Sequence, residues 1–373
     1  MSSTNTIVIF GAGNIGRGLM AELVSGAGML PVLVEAVEDF ARKLSEAESF
    51  QVLLEGQQKS VRQISNYAVI PAVCDSEVVD ALVNCSFAAT AVGGPNLGSI
   101  APLLAQGIIA RGRPLNILVC ENWPHADEVL GEAIESAGAS REMFASVHCS
   151  VERMVQSSKA SLDLTGEYGQ GIYADAGSWI GDVPEIAGLS FRGDIDALYT
   201  RKIFTNNAGH ALLGYLGFQA GCRYVYEAAE MDEVRIYLEE LLRVAGKAVV
   251  MARGMDQSEM DKHIETLLNY RYVNRGLGDT VQRVARSPIR KLGPGERLVG
   301  LVRLLQQCDL PTLPVSRVIG AAMRYNDPSD GECVSLAGII RDKGPDEVLR
   351  SICGLASGDI CYRECLDFYN SYK

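Results

Sequence analysis

Four side chains able to handle protons and oxygen anions crowd one short stretch, Lys202-Ile203-Phe204-Thr205-Asn206-Asn207-Ala208-Gly209-His210. A lysine amine freed of its proton can act as a base, amide N–H groups can hold a developing oxyanion, and an imidazole can bind a hydroxyl. Oxidising an alcohol by hydride loss needs such a set. A base takes the hydroxyl proton, donors steady the oxygen, and the carbon is held beside a hydride acceptor. Zinc meets the first two needs in other enzymes. This chain has only His125, His148, His210 and His263 and no close Cys/His grouping, so no metal is expected.

The hydride acceptor is indicated near the N-terminus. Thr6-Ile7-Val8-Ile9-Phe10 reads as a buried strand and runs directly into Gly11-Ala12-Gly13-Asn14-Ile15-Gly16. Leu19, Met20, Leu23 and Val24 then recur at helical spacing. A G-x-G-x-x-G turn between strand and helix lets backbone approach a pyrophosphate, whose charge the helix N-terminus favours. Glu35 closes the next strand about 20 residues on, where an acid takes the adenosine ribose hydroxyls. A carboxylate there repels a 2′-phosphate, and Ala36-Val37 rather than Arg follows, so NAD is expected over NADP. The expected cofactor contacts are Gly11, Ala12, Gly13, Asn14, Ile15, Gly16 and Glu35. Two later strand ends join them, Thr90-Ala91-Val92-Gly93 and Asn122, because ligands of open α/β sheets sit beyond the carboxyl ends of strands.

These groups need elements to position them. Val32–Val34, Tyr67–Ile70, Phe87–Thr90 and Leu115–Val119 read as further strands with helical stretches between them, the rhythm of a parallel sheet covered on both faces. Leu162–Tyr173 reads as a strand extension at the domain edge. From about Asp194 long amphipathic segments dominate: Ile195–Leu216, Met231–Arg253, Ser258–Tyr270, Pro294–Gln307 and Pro345–Leu355. The expected fold is α/β, with an N-terminal Rossmann-type, mostly parallel sheet domain (residues 1–192) followed by a mainly α-helical domain (residues 193–373). On a regular helix of about 100° per residue, Lys202, Asn206 and His210 form one drifting stripe and Asn207 lies about 140° from Lys202. The wheel therefore favours Asn206.

Composition narrows the partners. Apolar residues make up 47% and charged residues 21% of 373, and the net charge is −12. That balance argues against nucleic acid and against an anionic membrane surface. No run of about 18 apolar residues suggests a membrane span. Met1 to Asn5 is polar, with no signal-peptide pattern, so a cytoplasmic location is expected. The ten cysteines show no disulfide framework; Cys361 and Cys365 are the closest pair, and free thiols are expected.

Taken in order, several stretches resemble the polyol-specific long-chain dehydrogenases, the mannitol dehydrogenase family, and among them those acting on mannitol 1-phosphate. They are Phe10 to Gly18, Thr90 to Gly93, Cys120-Glu121-Asn122, Lys202 to Thr205 with Asn207 and Gly209-His210, and Arg283 to Leu292. Ile340 and Lys343-Gly344 add to them. The resemblance implies Lys202 as general base, Asn207 and Asn122 as oxyanion donors, and His210 as a substrate hydroxyl contact, without metal. It selects Asn207 where the wheel selects Asn206. It implies reversible, NAD-dependent oxidation of a polyol phosphate, mannitol 1-phosphate to fructose 6-phosphate, with an unphosphorylated polyol or a sugar acid as the alternative substrate. Arg283, Arg286 and Arg290, in one basic run with Lys291, are candidate clamps for an anionic substrate group. Glu152 is a further candidate contact; it stands in Val151-Glu152-Arg153 where the family usually has Val-Asp-Arg, and the proline pair beyond is missing. The β-hydroxyacid dehydrogenases share the two-domain plan, but their lysine-to-asparagine spacing is shorter by one. A non-catalytic NAD(H) sensor would have no need of the base. Oligomeric state, monomer or dimer, is left open.

Overall fold

The computed structural model describes residues 5–123, 125–157 and 161–371; residues 1–4, most of the polar N-terminal stretch read above, lie outside them. The chain divides into two compact units, Met1–Ile195 and Asp196–Lys373.

Among the described residues the first unit holds twelve strands: β1 Thr6–Phe10, β2 Leu30–Glu35, β3 Phe50–Glu55, β4 Ser60–Ile64, β5 Ala68–Pro71, β6 Phe87–Thr90, β7 Leu115–Val119, β8 Phe144–Val151, β9 Val155–Ser157, β10 Leu164–Glu167, β11 Ile172–Asp175 and β12 Leu189–Arg192. Eight form one sheet in the order β12-β11-β8-β7-β6-β1-β2-β5. From β5 to β8 every pairing is parallel, and β11 meets β8 antiparallel. That run has the dinucleotide-fold order, and the strand order reverses at β1 and β6.

Its strands are apolar on both faces because both faces are covered. Ile7 and Ile9 of β1 point into one core with Leu33, Ala89 and Leu118, while Val8 and Phe10 point into the other with Val32, Val34, Ala88 and Ile117. The second core is closed by helices Asp75–Asn84, Leu97–Arg111 and Ala126–Ser136, through residues such as Leu82, Leu104 and Leu130. The first core is closed by Leu19, Met20 and Leu23 and by a second sheet, β4-β3-β10-β9. That sheet corrects the sequence reading. Residues 50–64, given no strand above, form an antiparallel hairpin, and 162–173 contributes to two strands in different sheets.

The second unit is helical. Asp232–Arg253 buries Val234, Leu238, Leu241, Leu242, Ala245, Ala248 and Val249, one stripe at helical spacing. Val299–Gln307 begins five residues later than the sequence pattern suggested, after a turn-rich stretch from Pro294. Helices Leu313–Met323, Gly331–Lys343 and Ile360–Ser371 were not anticipated. All ten cysteines are free. Among the described residues no helix is long and apolar enough to cross a membrane, and no group of three or more His, Cys, Asp or Glu is placed to hold a metal ion.

Candidate active site

In the first unit the glycine turn lies where the strand order reverses. A Cβ on Gly16 would stand 1.8 Å from the Gly11 carbonyl oxygen, so the helix can start this close to the strand only with glycine there. A Cβ on Gly13 would meet nothing within 4 Å, which leaves that face open to a ligand. The peptide of Ala12 is gripped from both sides. Glu35 accepts its N–H at 3.0 Å, and Arg17 donates to its carbonyl at 2.6 Å. The second Glu35 oxygen accepts from the Val37 N–H at 2.9 Å. The carboxylate thus orients the turn and has lone pairs left for further donors. Arg17 is buried against Phe40 and also donates to the Leu162 carbonyl; burial pushes its pKa down to about 10, against the pull of Glu35. Asn14 donates to the Val155 carbonyl at 3.1 Å, which anchors the turn to the second sheet.

Thr90, Ala91, Val92 and Gly93 leave the end of β6, and Cys120, Glu121 and Asn122 leave the end of β7. Asn122 is exposed. Glu121, quoted in the sequence motif without a role, is buried and bonds Val92 and Gly93. Glu152 is buried too, and its carboxylate accepts the Ser150 hydroxyl at 2.7 Å.

In the second unit Ile195–Lys202 continues through a π turn, Ile203–Asn207, into Ala208–Gln219. The 100° wheel assumed a regular helix. Across a turn bonded i→i+5 it fails, so the preference for Asn206 loses its basis. Asn206 is only 1% exposed, whereas Asn207 is partly open; the buried Nδ2 of each makes no hydrogen bond among the described residues, so exposure alone separates them. A buried donor left in that state is what an oxygen ligand would satisfy. Lys202 is buried at the start of the π turn.

The irregular turn leaves carbonyl oxygens to be taken by side chains. The Asn206 carbonyl accepts from His210 Nδ1 at 3.0 Å and from the Tyr272 hydroxyl at 3.1 Å. Tyr272 comes this close because Gly209 has no side chain; a Cβ there would lie 2.3 Å from its hydroxyl oxygen. Burial, with the charges of Arg271 and Arg283, holds the His210 pKa well below the usual imidazole range. His210 is therefore neutral. Its proton sits on Nδ1, facing a carbonyl, and Nε2 is an acceptor 3.9 Å from the Asp279 carboxylate.

The basic run lies in the same unit, and acids claim part of it. Asp279 accepts Arg283 bidentately at 2.5 and 2.7 Å, and Glu296 accepts Arg290 at 2.9 Å. Arg286 is exposed, with no ion-pair partner among the described residues. Lys291 is 4% exposed, donates to the Val284 carbonyl and lies against the Tyr215 ring. Burial, then Arg297, Arg290 and Arg286, push its pKa down to about 6.

Comparison with known proteins agrees with this fold. Residues 5–164 match the mannitol dehydrogenase Rossmann domain and residues 194–353 the mannitol dehydrogenase C-terminal domain. The chain is similar to mannitol-1-phosphate 5-dehydrogenase of Arthrobacter sp. (strain FB24), 32% identical over 362 residues and 94% of each chain. It is similar to the mannitol-1-phosphate 5-dehydrogenase of Geobacillus thermodenitrificans (strain NG80-2), 33% identical over 362 residues, 93% of this chain and 94% of the relative. Among solved structures it shares the fold of Pseudomonas fluorescens mannitol 2-dehydrogenase in ternary complex with NAD and D-mannitol (TM-score 0.77, 16% identity, 99% of this chain and 92% of that one). It also shares that of a substrate-free D-sorbitol dehydrogenase (TM-score 0.80, 17% identity, 98% and 92%).

Proposed function

The chain belongs to the mannitol dehydrogenase family, and from that membership we propose that it is an NAD-dependent, metal-independent polyol phosphate dehydrogenase converting mannitol 1-phosphate to fructose 6-phosphate reversibly. The observation that carries the reading is the helical run Lys202–His210, which joins a buried amine, an amide donor without a protein partner and a neutral imidazole around one π turn.

The first unit suits a dinucleotide. The open face at Gly13 would take the pyrophosphate, and Glu35 the adenosine ribose. When bound, NAD supplies the hydride acceptor. Lys202 accepts the hydroxyl proton. Asn207 holds the oxygen through a neutral N–H donor that does not compete for that proton, and the family resemblance implies the same role for Asn122. His210 accepts a neighbouring substrate hydroxyl at Nε2, an orientation fixed by the Asn206 carbonyl on its other nitrogen. Arg286 and the cations beside it would meet the phosphate.

The pairing of Arg283 with Asp279 and of Arg290 with Glu296 favours a second reading, an unphosphorylated polyol or a sugar acid, because it leaves fewer cations for a phosphate. The test is a panel of polyols, polyol phosphates and sugar acids followed by NADH appearance. Highest kcat/KM on mannitol 1-phosphate is expected; a preference for a neutral polyol overturns the phosphate assignment.

A further inference from the structure

We propose that Glu121 is a positioning residue for the oxidation, acting through Asn122. The inference rests on the dehydrogenase reading above and assigns a residue that reading does not use. Glu121 leaves the end of β7 and is 7% exposed. Its Oε1 accepts the Val92 N–H at 2.9 Å and its Oε2 the Gly93 N–H at 2.8 Å, both beyond the end of β6. Two consecutive N–H groups, the second on a glycine with φ of +87°, converge on one anion. Such a concavity would elsewhere take a ligand's phosphate or carboxylate. Here the chain's own side chain fills it, so the loop after β6 has its place fixed before any ligand arrives.

The tie has a second consequence. Residues 92–93 and 121 are joined to adjacent parallel strands, and the Cys120 N–H is already bonded to the Thr90 carbonyl at 3.0 Å. The backbone is therefore held on one side of Asn122 by a ladder bond and by the carboxylate grip. Asn122 itself is exposed. The direction of its amide depends on the residue before it. Because a misplacement of about 1 Å in a reacting group can cost roughly a hundredfold in rate, this grip bears on turnover.

Glu121→Gln keeps the volume but sets an NH2 group against one of the two N–H donors. Its turnover should fall about ten- to a hundredfold, with the KM for NAD changed far less, because the glycine turn is untouched. In an Asn122→Ala background the same change should cost little further, since its route to the substrate is gone. Hydrogen–deuterium exchange of a peptide spanning residues 90–95 should speed up in Glu121→Gln, with the melting curve close to wild type. Normal turnover, losses that multiply fully in the double variant, or unchanged exchange would each overturn the proposal. A wild-type protein that oxidises no polyol or polyol phosphate, with the exchange change still present in Glu121→Gln, would overturn the functional reading and with it the positioning role of Glu121, while the grip itself would stand.

Discussion

Replacing Lys291 with methionine should change how stability depends on pH. The side chain is 4% exposed, and its pKa is pushed down to about 6 by burial and by Arg297, Arg290 and Arg286. In the unfolded chain the same amine titrates near 10.4. Between those values the unfolded chain binds the extra proton, so folding stability rises with pH across the window and is flat with respect to this group below about 6. One proton of difference gives at most about 1.4 kcal/mol per pH unit, and on the order of 4 kcal/mol from pH 6.5 to 9.5. Lys291→Met removes the titration while keeping most of the apolar stem. It also removes the bond to the Val284 carbonyl, about 1 kcal/mol, which lowers the whole curve without tilting it. The assay is urea unfolding of both proteins at several pH values in phosphate-free buffer, with a probe in the helical unit. The wild-type curve should climb relative to the variant as pH rises. Parallel curves would refute the argument that Lys291 is folded in its neutral form.

Lys202→Ala should lower turnover by roughly a hundredfold or more, the usual loss for a positioned base, with NADH affinity unchanged; near-normal turnover with the same pH profile would remove Lys202 from the chemistry. The protein should use NAD with higher kcat/KM than NADP, and Glu35→Gln should narrow the ratio by raising the KM for NAD, since an amide cannot accept from both Ala12 and Val37. A higher efficiency with NADP would count against that role. Arg286→Ala and Arg290→Ala should each raise the KM for a phosphorylated substrate by about tenfold and change that of its unphosphorylated analogue much less. Equal effects on the two substrates would separate these residues from phosphate.

The parts of this protein that could be read in sequence are those where residue type alone carries the signal. Buried parallel strands are apolar runs, and β1, β6 and β7 fall at the residues expected. The hairpin of β3 and β4 was given no strand in the sequence reading, although Phe50, Val52 and Leu54 alternate and Gly56 follows; it comes after the helix Glu38–Glu46 between β2 and β5. Asp279 stands four residues before Arg283, a spacing that signals an ion pair on a helix end and marks that arginine as already engaged. Glu121 gave no signal, because its partners lie 29 and 28 residues away and are backbone groups. The π turn gave none either. It is a property of the hydrogen-bond ladder, and no residue type announces it.

The π turn at Ile203–Asn207 also has an evolutionary meaning. A π turn amounts to a single-residue insertion into an α-helix, absorbed by widening one turn instead of shifting everything after it. A lineage with lysine and asparagine one position closer on a regular helix and one with the Lys202–Asn207 spacing can therefore present the same pair of groups in the same direction. Counting residues separates such lineages, whereas superposing the side chains would not. On this view, deleting one residue from Ile203 to Asn206 is the step that interconverts the two spacings, and the helix after Ala208 would keep its packing through the change.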